Sequence, residues 1–88
     1  MAKVTIYTTP ICPYCVRAKR LFKNKGVAVE EIDVFMNGEA RAEMEEKSGG
    51  RRSVPQIFVG ETHVGGCDDL YALESDGKLD ALLESAGR

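Results

Sequence analysis

Two cysteines lie three positions apart near the start of this 88-residue chain, in the stretch Cys12-Pro13-Tyr14-Cys15. Thiols at this spacing can bind a metal ion, form a structural disulfide or exchange electrons through a reversible disulfide. The chain has 3 cysteines in all, and an odd, low number argues against a secreted protein held together by disulfides. A catalytic or metal-binding pair in a reducing compartment is therefore favoured.

The position of Cys12 indicates an activated thiol. Pro13 suits the first position of a helix, because its missing N–H would have no intrahelical acceptor there. Cys12 is then expected at the positive end of the helix dipole, where thiol pKa values fall from roughly 8.5 to between about 3.5 and 7.5. We predict that Cys12 is an exposed nucleophile and that the less exposed Cys15, one turn further on, resolves its mixed disulfide.

Two alternatives for the cysteine pair have to be weighed. The pair can be buried and inert, although a C-x-x-C sequence beside a βαβ pattern is itself a redox signature. It can also bind zinc together with His63 and Cys67, which would complete a set of three thiolates and one imidazole. Cys12 precedes a long helix rather than a knuckle, and His63 and Cys67 lie on opposite sides of a Gly-Gly turn, so the redox interpretation is preferred and no metal is expected.

Two further stretches have the chemistry of a binding site. A cis bond before Pro55, in Ser53-Val54-Pro55, would turn the backbone of Val54 toward a peptide-like substrate; an ordinary proline that begins a strand is an equal alternative. In the stretch 65–69, GGCDD, glycines before a helix allow close approach, and helix N–H groups with the Asp68 carboxylate suit an amino-acid head group. The simpler alternative there is a plain N-capped helix with Asp68 or Cys67 near the cap.

The elements that must position these residues follow from hydrophobic periodicity. Strands are predicted at 3–7, 27–34, 56–59 and 62–64. Helices are predicted from Pro13 to just before Gly26, over 39–47, over about 68–74, and after Gly77 with an apolar stripe of Leu79, Leu82, Leu83 and Ala86. The order β-α-β-α-β-β-α-α predicts an α/β fold, with one four-stranded mixed sheet flanked by helices, in a single domain over residues 1–88.

Composition excludes several classes of function. The 12 basic and 14 acidic residues give a net charge of −2, which provides no overall basic field for nucleic acid. No apolar run has the length of a membrane helix, and the first ten residues have no signal-peptide hydrophobic region. We therefore expect a cytoplasmic protein that binds neither nucleic acid nor membrane.

Three motifs together resemble the dithiol glutaredoxins, most closely the short bacterial type. They are CPYC at 12–15, SVPQIFV at 53–59 and GGCDDL at 65–70, and their order and spacing match over nearly the whole chain. The resemblance implies a thioredoxin-like fold and a glutathione-dependent thiol–disulfide oxidoreductase. It also implies glutathione as the reducing co-substrate, no bound cofactor, a monomer, and glutathionylated or disulfide-containing proteins as partners.

The resemblance also implies site residues, which are assigned by position in this sequence. Cys12 is the nucleophile and Cys15 the resolving thiol, with Pro13 and Tyr14 between them. The residues expected to bind glutathione are Tyr14, Arg51, Val54, Pro55, Gly66, Cys67 and Asp68. The family often has Lys three residues before the first cysteine, where this chain has Thr9. Arg51 or Arg52 is therefore expected to supply the charge for the glycyl carboxylate, and Arg51 better matches a basic position of the family.

Two rival functions differ in how the thiols are used. A thioredoxin-like protein would be reduced by a flavoenzyme, but this chain has no Trp before the cysteines and has the 65–69 stretch suited to glutathione. A binding protein would hold a [2Fe–2S] cluster between two subunits through Cys12 and glutathione, which Pro13 is expected to disfavour. Both rivals are less consistent with the sequence than the oxidoreductase.

Overall fold

The computed structural model describes residues 3–86, and the side chains of residues 3–84. Within this range the strands are β1 (Val4–Thr8), β2 (Val29–Asp33), β3 (Gln56–Val59) and β4 (Thr62–Gly65). The helices are α1 (Pro13–Asn24), α2 (Gly38–Lys47), α3 (Cys67–Ser75) and α4 (Lys78–Ala86). The predicted order of elements is confirmed. No helix in this part of the chain is both long and apolar enough to cross a membrane.

The strands form one mixed sheet in the order β2-β1-β3-β4. β1 is parallel to β2 and antiparallel to β3, and β3 is antiparallel to β4. The carboxyl ends of β1, β2 and β4 therefore meet the start of β3 at one edge of the sheet. This edge brings together the loop before Cys12, the turn before Pro55 and the Gly65-Gly66 pair, which are far apart in sequence.

Alternation along the strands divides the core between the two faces of the sheet. Val4 and Ile6 of β1 face α1, α3 and α4, whereas Tyr7 faces α2. The first face buries Ala18, Phe22, Ile57, Val59, Leu70, Leu79 and Leu83 with them. The second buries Val34, Ala40, Met44 and Phe58 beside Tyr7. In α4 the predicted stripe has Leu79 and Leu83 buried and Leu82 half-buried; the side chain of Ala86 lies outside the described residues.

The end of α1 explains why β2 begins two residues later than predicted. Gly26 has a φ of 72°, and its N–H donates to the carbonyl of Lys23 at 3.0 Å, while the Val27 N–H donates to the carbonyl of Phe22 at 3.0 Å. The Val27 N–H is therefore used to satisfy a carbonyl group in the last turn of α1, as is common where a helix ends at a glycine. Pairing with β1 then starts at Val29, opposite Val4.

Candidate active site

Cys12 is the N-cap of α1, as the sequence predicts. Its backbone is extended, with φ −145° and ψ 99°, and Pro13 begins the helix. The Cys15 N–H donates to the Cys12 Sγ atom at 3.1 Å. The sulfur thus occupies the place of a capping oxygen, at the positive end of the helix dipole. A negative charge on this sulfur would be stabilised by the same contacts.

The two cysteines are joined by a disulfide. Cys12 is 8% exposed and Cys15 is 1% exposed. The prediction of an exposed Cys12 is therefore wrong for this disulfide form, because the bond draws its sulfur over the first turn of the helix, although Cys12 remains the more accessible of the two. The Cys12 Sγ atom lies 4.0 Å from the carbonyl oxygen of Val54, so the pair borders the turn before β3.

A cleft of about 320 Å³ lies between this turn and the start of α3. Every residue that the resemblance assigns to glutathione lines it: Tyr14, Arg51, Val54, Pro55, Gly66, Cys67 and Asp68. Ser53 and Asp69 also line the cleft. Three stretches of sequence thus meet in one concave surface beside the cysteines. Tyr14, whose side chain is 54% exposed, forms the wall nearest to them.

The turn before β3 contains a cis peptide bond between Val54 and Pro55, which decides between the two alternatives left open by the sequence. Gln56, the first residue of β3, is fully buried and contacts this turn through its side chain. Its Nε2 atom donates to the Ser53 carbonyl at 2.9 Å and contacts the Ser53 hydroxyl at 3.2 Å. The Ser53 end of the Ser53-Val54-Pro55 segment is therefore held by a side chain of β3, the strand that follows Pro55.

The opposite wall of the cleft is the start of α3. Gly66 is the N-cap, so Cys67 and Asp68, which the sequence places near the cap, are the first two residues of the helix. The Gly66 N–H donates to the Asp69 Oδ2 atom at 3.0 Å, and Arg51 Nη1 lies 3.3 Å from the same oxygen. The Gly66 amide, followed by the Arg51 guanidinium, lowers the pKa of the Asp69 carboxyl. Arg51 is thus oriented toward the α3 side of the cleft.

Asp69 is a site residue that the sequence reasoning missed. The prediction began the helix at about residue 68, one residue after its true start, and drew attention to Asp68. With Gly66 as the N-cap, Asp69 stands at the third helical position, where an acidic side chain reaches back to the N-cap amide. The spacing of an acid three residues after a glycine was the available signal. Asp68 itself is exposed in the first turn of α3.

Cys67 is buried, with 5% of its surface exposed. Burial, followed by the nearby Asp68 carboxylate, raises the pKa of its thiol, against an opposing effect of Arg17. The sulfur of Cys67 therefore favours the neutral form. The small Cys67 side chain is therefore packed in the fold at the edge of the cleft that this residue lines.

His63 is a hydrogen-bonded residue within the fold. Its Nε2 atom lies 2.8 Å from the Gln56 Oε1 atom, and its ring packs on Phe58 with centroids 4.8 Å apart. Burial, followed by the charge of Arg51, lowers the pKa of His63. Among the described residues, no three His, Cys, Asp or Glu side chains are grouped as metal ligands.

Two cations of α1 are held by partners other than the cysteine pair. Lys19 Nζ contacts the Glu31 Oε2 atom at 2.9 Å, and Arg17 lies over the Tyr71 ring at 5.2 Å from its centroid. Thr9 contributes no charge. The N-terminus of α1 is therefore the feature that acts directly on Cys12. Together with a cis-proline turn and a cleft that offers backbone groups, the arrangement suits the capture of a sulfur-linked peptide.

Comparison with known proteins agrees with this geometry. The glutaredoxin family model matches residues 4–64. A glutaredoxin of Pseudomonas aeruginosa is 59% identical over 97% of this chain and 100% of its own length, and glutaredoxin 3 of Escherichia coli is 54% identical over 96% of this chain and 100% of its own. A buckwheat glutaredoxin–glutathione complex superposes with a TM-score of 0.86, covering 98% of this chain and 80% of the other, at 30% identity.

Proposed function

Because this chain belongs to the glutaredoxin family, it is a thiol–disulfide oxidoreductase with a glutathione-dependent role, and we propose that it reduces both protein–glutathione mixed disulfides and protein disulfides. The observation that carries this proposal is the position of the Cys12 sulfur. It caps α1, accepts from the Cys15 amide at 3.1 Å and borders the cleft beside Val54. A thiolate there is both stabilised and next to a surface that can hold a peptide.

In the monothiol route, Cys12 is sufficient. The Cys12 thiolate attacks the glutathione sulfur of a mixed disulfide, and the substrate cysteine leaves as a thiolate that takes up a proton. Free glutathione, as its thiolate, then attacks the glutathione sulfur held on Cys12. This step releases oxidised glutathione and regenerates the Cys12 thiolate. Two electrons pass from glutathione to the substrate.

In the dithiol route, Cys15 completes the reduction of a protein disulfide. Cys12 forms a mixed disulfide with one substrate sulfur, and Cys15 attacks Cys12, leaving the Cys12–Cys15 disulfide and two reduced substrate thiols. The fold supports this step by holding the two cysteines within one helical turn. Two glutathione molecules then restore the dithiol. Glutaredoxin potentials of about −200 to −230 mV make this reduction by a cytosolic glutathione pool reasonable.

The cleft residues take glutathione as a short added strand. The Val54 backbone pairs with the cysteinyl part, next to Pro55, and the Tyr14 ring covers one side. The γ-glutamyl carboxylate binds first-turn N–H groups at Gly66 and Cys67, and its ammonium group binds the Asp68 carboxylate. Since the Gly66 amide already donates to Asp69, the Cys67 amide is the main donor.

Arg51 provides the charge for the glycyl carboxylate in this proposal. Its present partner, Asp69, is about half exposed, so the exchange of one exposed ion pair for another costs little. The whole of residues 1–88 acts as one domain, as a monomer in the cytoplasm. Its partners are glutathione and proteins that carry mixed or internal disulfides.

The first test is glutathione-driven turnover of a glutathionylated peptide by the wild type, Cys12→Ser and Cys15→Ser. We expect Cys12→Ser to abolish turnover because the attacking sulfur is lost. Cys15→Ser should retain it, since Cys15 takes no part in the monothiol route. A wild type with free thiols and no turnover would contradict glutathione dependence, and loss of activity in Cys15→Ser would contradict the assignment of roles.

A further inference from the structure

Several large apolar side chains are exposed at the surface of the protein. Among the described side chains, the large apolar ones that are exposed are Ile11, Tyr14, Val16, Phe35 and Met36. Ile11 and Met36 are each 92% exposed and Phe35 is 57% exposed. Tyr14 lines the cleft described above, and the other four lie outside it. Apolar side chains grouped at the surface are a mark of an interaction site.

The sheet topology brings Ile11, Phe35 and Met36 to the same edge as Cys12. Parallel strands β1 and β2 end together, with Thr8 paired to Asp33 and the Val34 N–H donating to the Thr8 carbonyl at 2.8 Å. The chain that leaves β1 reaches Ile11, and the chain that leaves β2 reaches the other two. Because β1 lies between β2 and β3, Phe35 and Met36 follow the strand on the side of β1 away from β3 and the cleft.

The turn after β2 holds its apolar side chains outward. The Phe35 N–H donates to the Asp33 Oδ1 atom at 2.7 Å, and the Asn37 N–H donates to the Val34 carbonyl at 3.3 Å. The backbone of Met36 has a φ of 54°, in a region that residues other than glycine seldom adopt. Val34, which precedes Phe35, is fully buried in the core. This unusual conformation therefore presents Met36 to solvent.

A cationic face of α1 continues this apolar surface. The sequence of α1 has four cations and no acidic residue, within a chain of net charge −2. Lys19 pairs with Glu31 on β2, which places its side of the helix next to that strand. Val16, Arg20 and Lys23 line a shallow groove with Lys19, and no described residue forms an ion pair with Arg20 or Lys23.

We propose that the β2-side surface, formed by Ile11, Val16, Phe35 and Met36 with Arg20 and Lys23, binds the polypeptide half of a disulfide substrate. The occupant is an extended segment with apolar side chains next to its cysteine and acidic residues beyond them, which complements the patch and its cations. This proposal rests on the proposed function. The glutathione half occupies the cleft, Cys12 bonds to the glutathione sulfur, and the substrate cysteine leaves as a thiolate on the β2 side.

The test compares three glutathione mixed disulfides as substrates. One is a peptide with leucines next to its cysteine and glutamates beyond, the second replaces these with serines and lysines, and the third is the small disulfide with 2-mercaptoethanol. The double variant Phe35→Ser/Met36→Asn should lower kcat/KM for the acidic apolar peptide roughly fivefold to tenfold. The small disulfide should be unaffected. Asn tolerates the positive φ of position 36, so the turn is retained.

The cationic part has its own matched pair of variants. Arg20→Glu should lower kcat/KM for the acidic peptide roughly threefold to tenfold at low salt, whereas Lys78→Glu, the same charge reversal on the exposed start of α4, should not. The difference in kcat/KM between these two variants should be smaller in 1 M NaCl, where the Debye length is about 3 Å. Unchanged thermal unfolding midpoints would show that the variants are folded.

The outcomes separate this inference from the proposed function. Equal turnover of both peptides by the wild type, or equal losses on all three substrates in the double variant, would overturn the β2-side surface while leaving the oxidoreductase intact. A dimer in sedimentation that Phe35→Ser/Met36→Asn dissociates would assign the surface to a second copy of the chain and also overturn it. No turnover of the small disulfide by the wild type would reject the proposed function, and this inference with it.

Discussion

Asp69 makes two contacts at the rim of the cleft that depend on its charge. Its carboxylate accepts from the Gly66 amide and pairs with Arg51, and these contacts lower its pKa. A carboxyl whose pKa is lower in the folded state stabilises the protein above its unfolded pKa, and this contribution is lost as the pH falls through the folded pKa. The unfolded value is about 3.9, so the loss begins below about pH 5.

We predict that Asp69→Asn makes stability less sensitive to acid. The amide can still accept from Gly66 but has no charge to lose, so the fall in unfolding free energy between pH 6 and pH 3 should be smaller than in the wild type. Urea unfolding at the two pH values measures it. Asp76→Asn, at the far end of α3, is the matched control for removing one acid from this helix. An identical fall in the wild type and Asp69→Asn would contradict the prediction.

Glu31 is a second carboxyl whose pKa is lowered, first by the Thr8 hydroxyl and then by Lys19. Loss of the Glu31 charge at low pH should therefore also lower the stability of the folded state. Glu31 could not be identified as perturbed from the sequence, because its partners Thr8 and Lys19 are 23 and 12 residues away. Asp69 differs, because the Gly66 amide lies only three residues before it and the Arg51 guanidinium 18 residues before it. At the residue scale, the motif residues were predictable from local sequence, whereas the contacts that set their charge depend on the tertiary fold.

Between elements, Gln56 connects β3 and β4 to the cis-proline turn. It is fully buried, donates to Ser53 and accepts from the His63 ring nitrogen at 2.8 Å. Because the Gln56 amide oxygen can only accept, the His63 Nε2 atom that faces it at 2.8 Å carries a proton. Every polar atom of the Gln56 side chain therefore has a partner within the fold.

We predict that Gln56→Leu lowers the unfolding free energy by about 1–3 kcal/mol, since the Ser53 carbonyl and the His63 N–H lose a buried partner. Gln56→Glu would keep an acceptor for His63 while losing the donor to Ser53, so it should fall between Leu and the wild type near pH 5. Chemical denaturation measures both. Equal stability of Gln56→Leu and the wild type would show that these hydrogen bonds make no net contribution.

Most elements could be predicted because their sequences carry local signals. β3 has the predicted bounds, since Pro55 precedes it and the Gly60-Glu61 turn follows it. The start of β2 was misplaced because an alternating, β-branched sequence does not reveal that the Val27 amide closes the preceding helix. The start of α3 was misplaced by one residue because a glycine N-cap has no side chain to signal it.

Across the whole molecule, one lysine connects three helices far from the active site. Lys25, just after α1, contacts Asp80 of α4 and Glu74 of α3, each at 2.8 Å. The hydrogen bond with Asp80, followed by that with Glu74, raises the pKa of Lys25. This cluster lies at the opposite end of α1 from Cys12. Catalysis and the attachment of α4 are therefore separated along the length of one helix.

This separation predicts a change in stability without a change in chemistry. Leu79 of α4 is fully buried in the core with Phe22 and Leu70, so Leu79→Ala should cost about 2–5 kcal/mol. A domain of this size is stable by roughly 4–13 kcal/mol in total, so the thermal midpoint should fall substantially. The rate of deglutathionylation per folded molecule at 25 °C should stay within about twofold of the wild type, because the cleft residues keep their supports.

Thermal unfolding and turnover measured on the same samples would test this, with Lys78→Ala as the control for an exposed position on the same helix. A lower midpoint with retained turnover at 25 °C is the expected pair of results, since truncating Leu79 leaves a cavity that is remote from Cys12 and Val54. Loss of turnover in Leu79→Ala molecules that are still folded would contradict it. That result would mean that α4 acts on the geometry of the cysteine pair through α1 or β3, so that the two ends of the molecule are coupled.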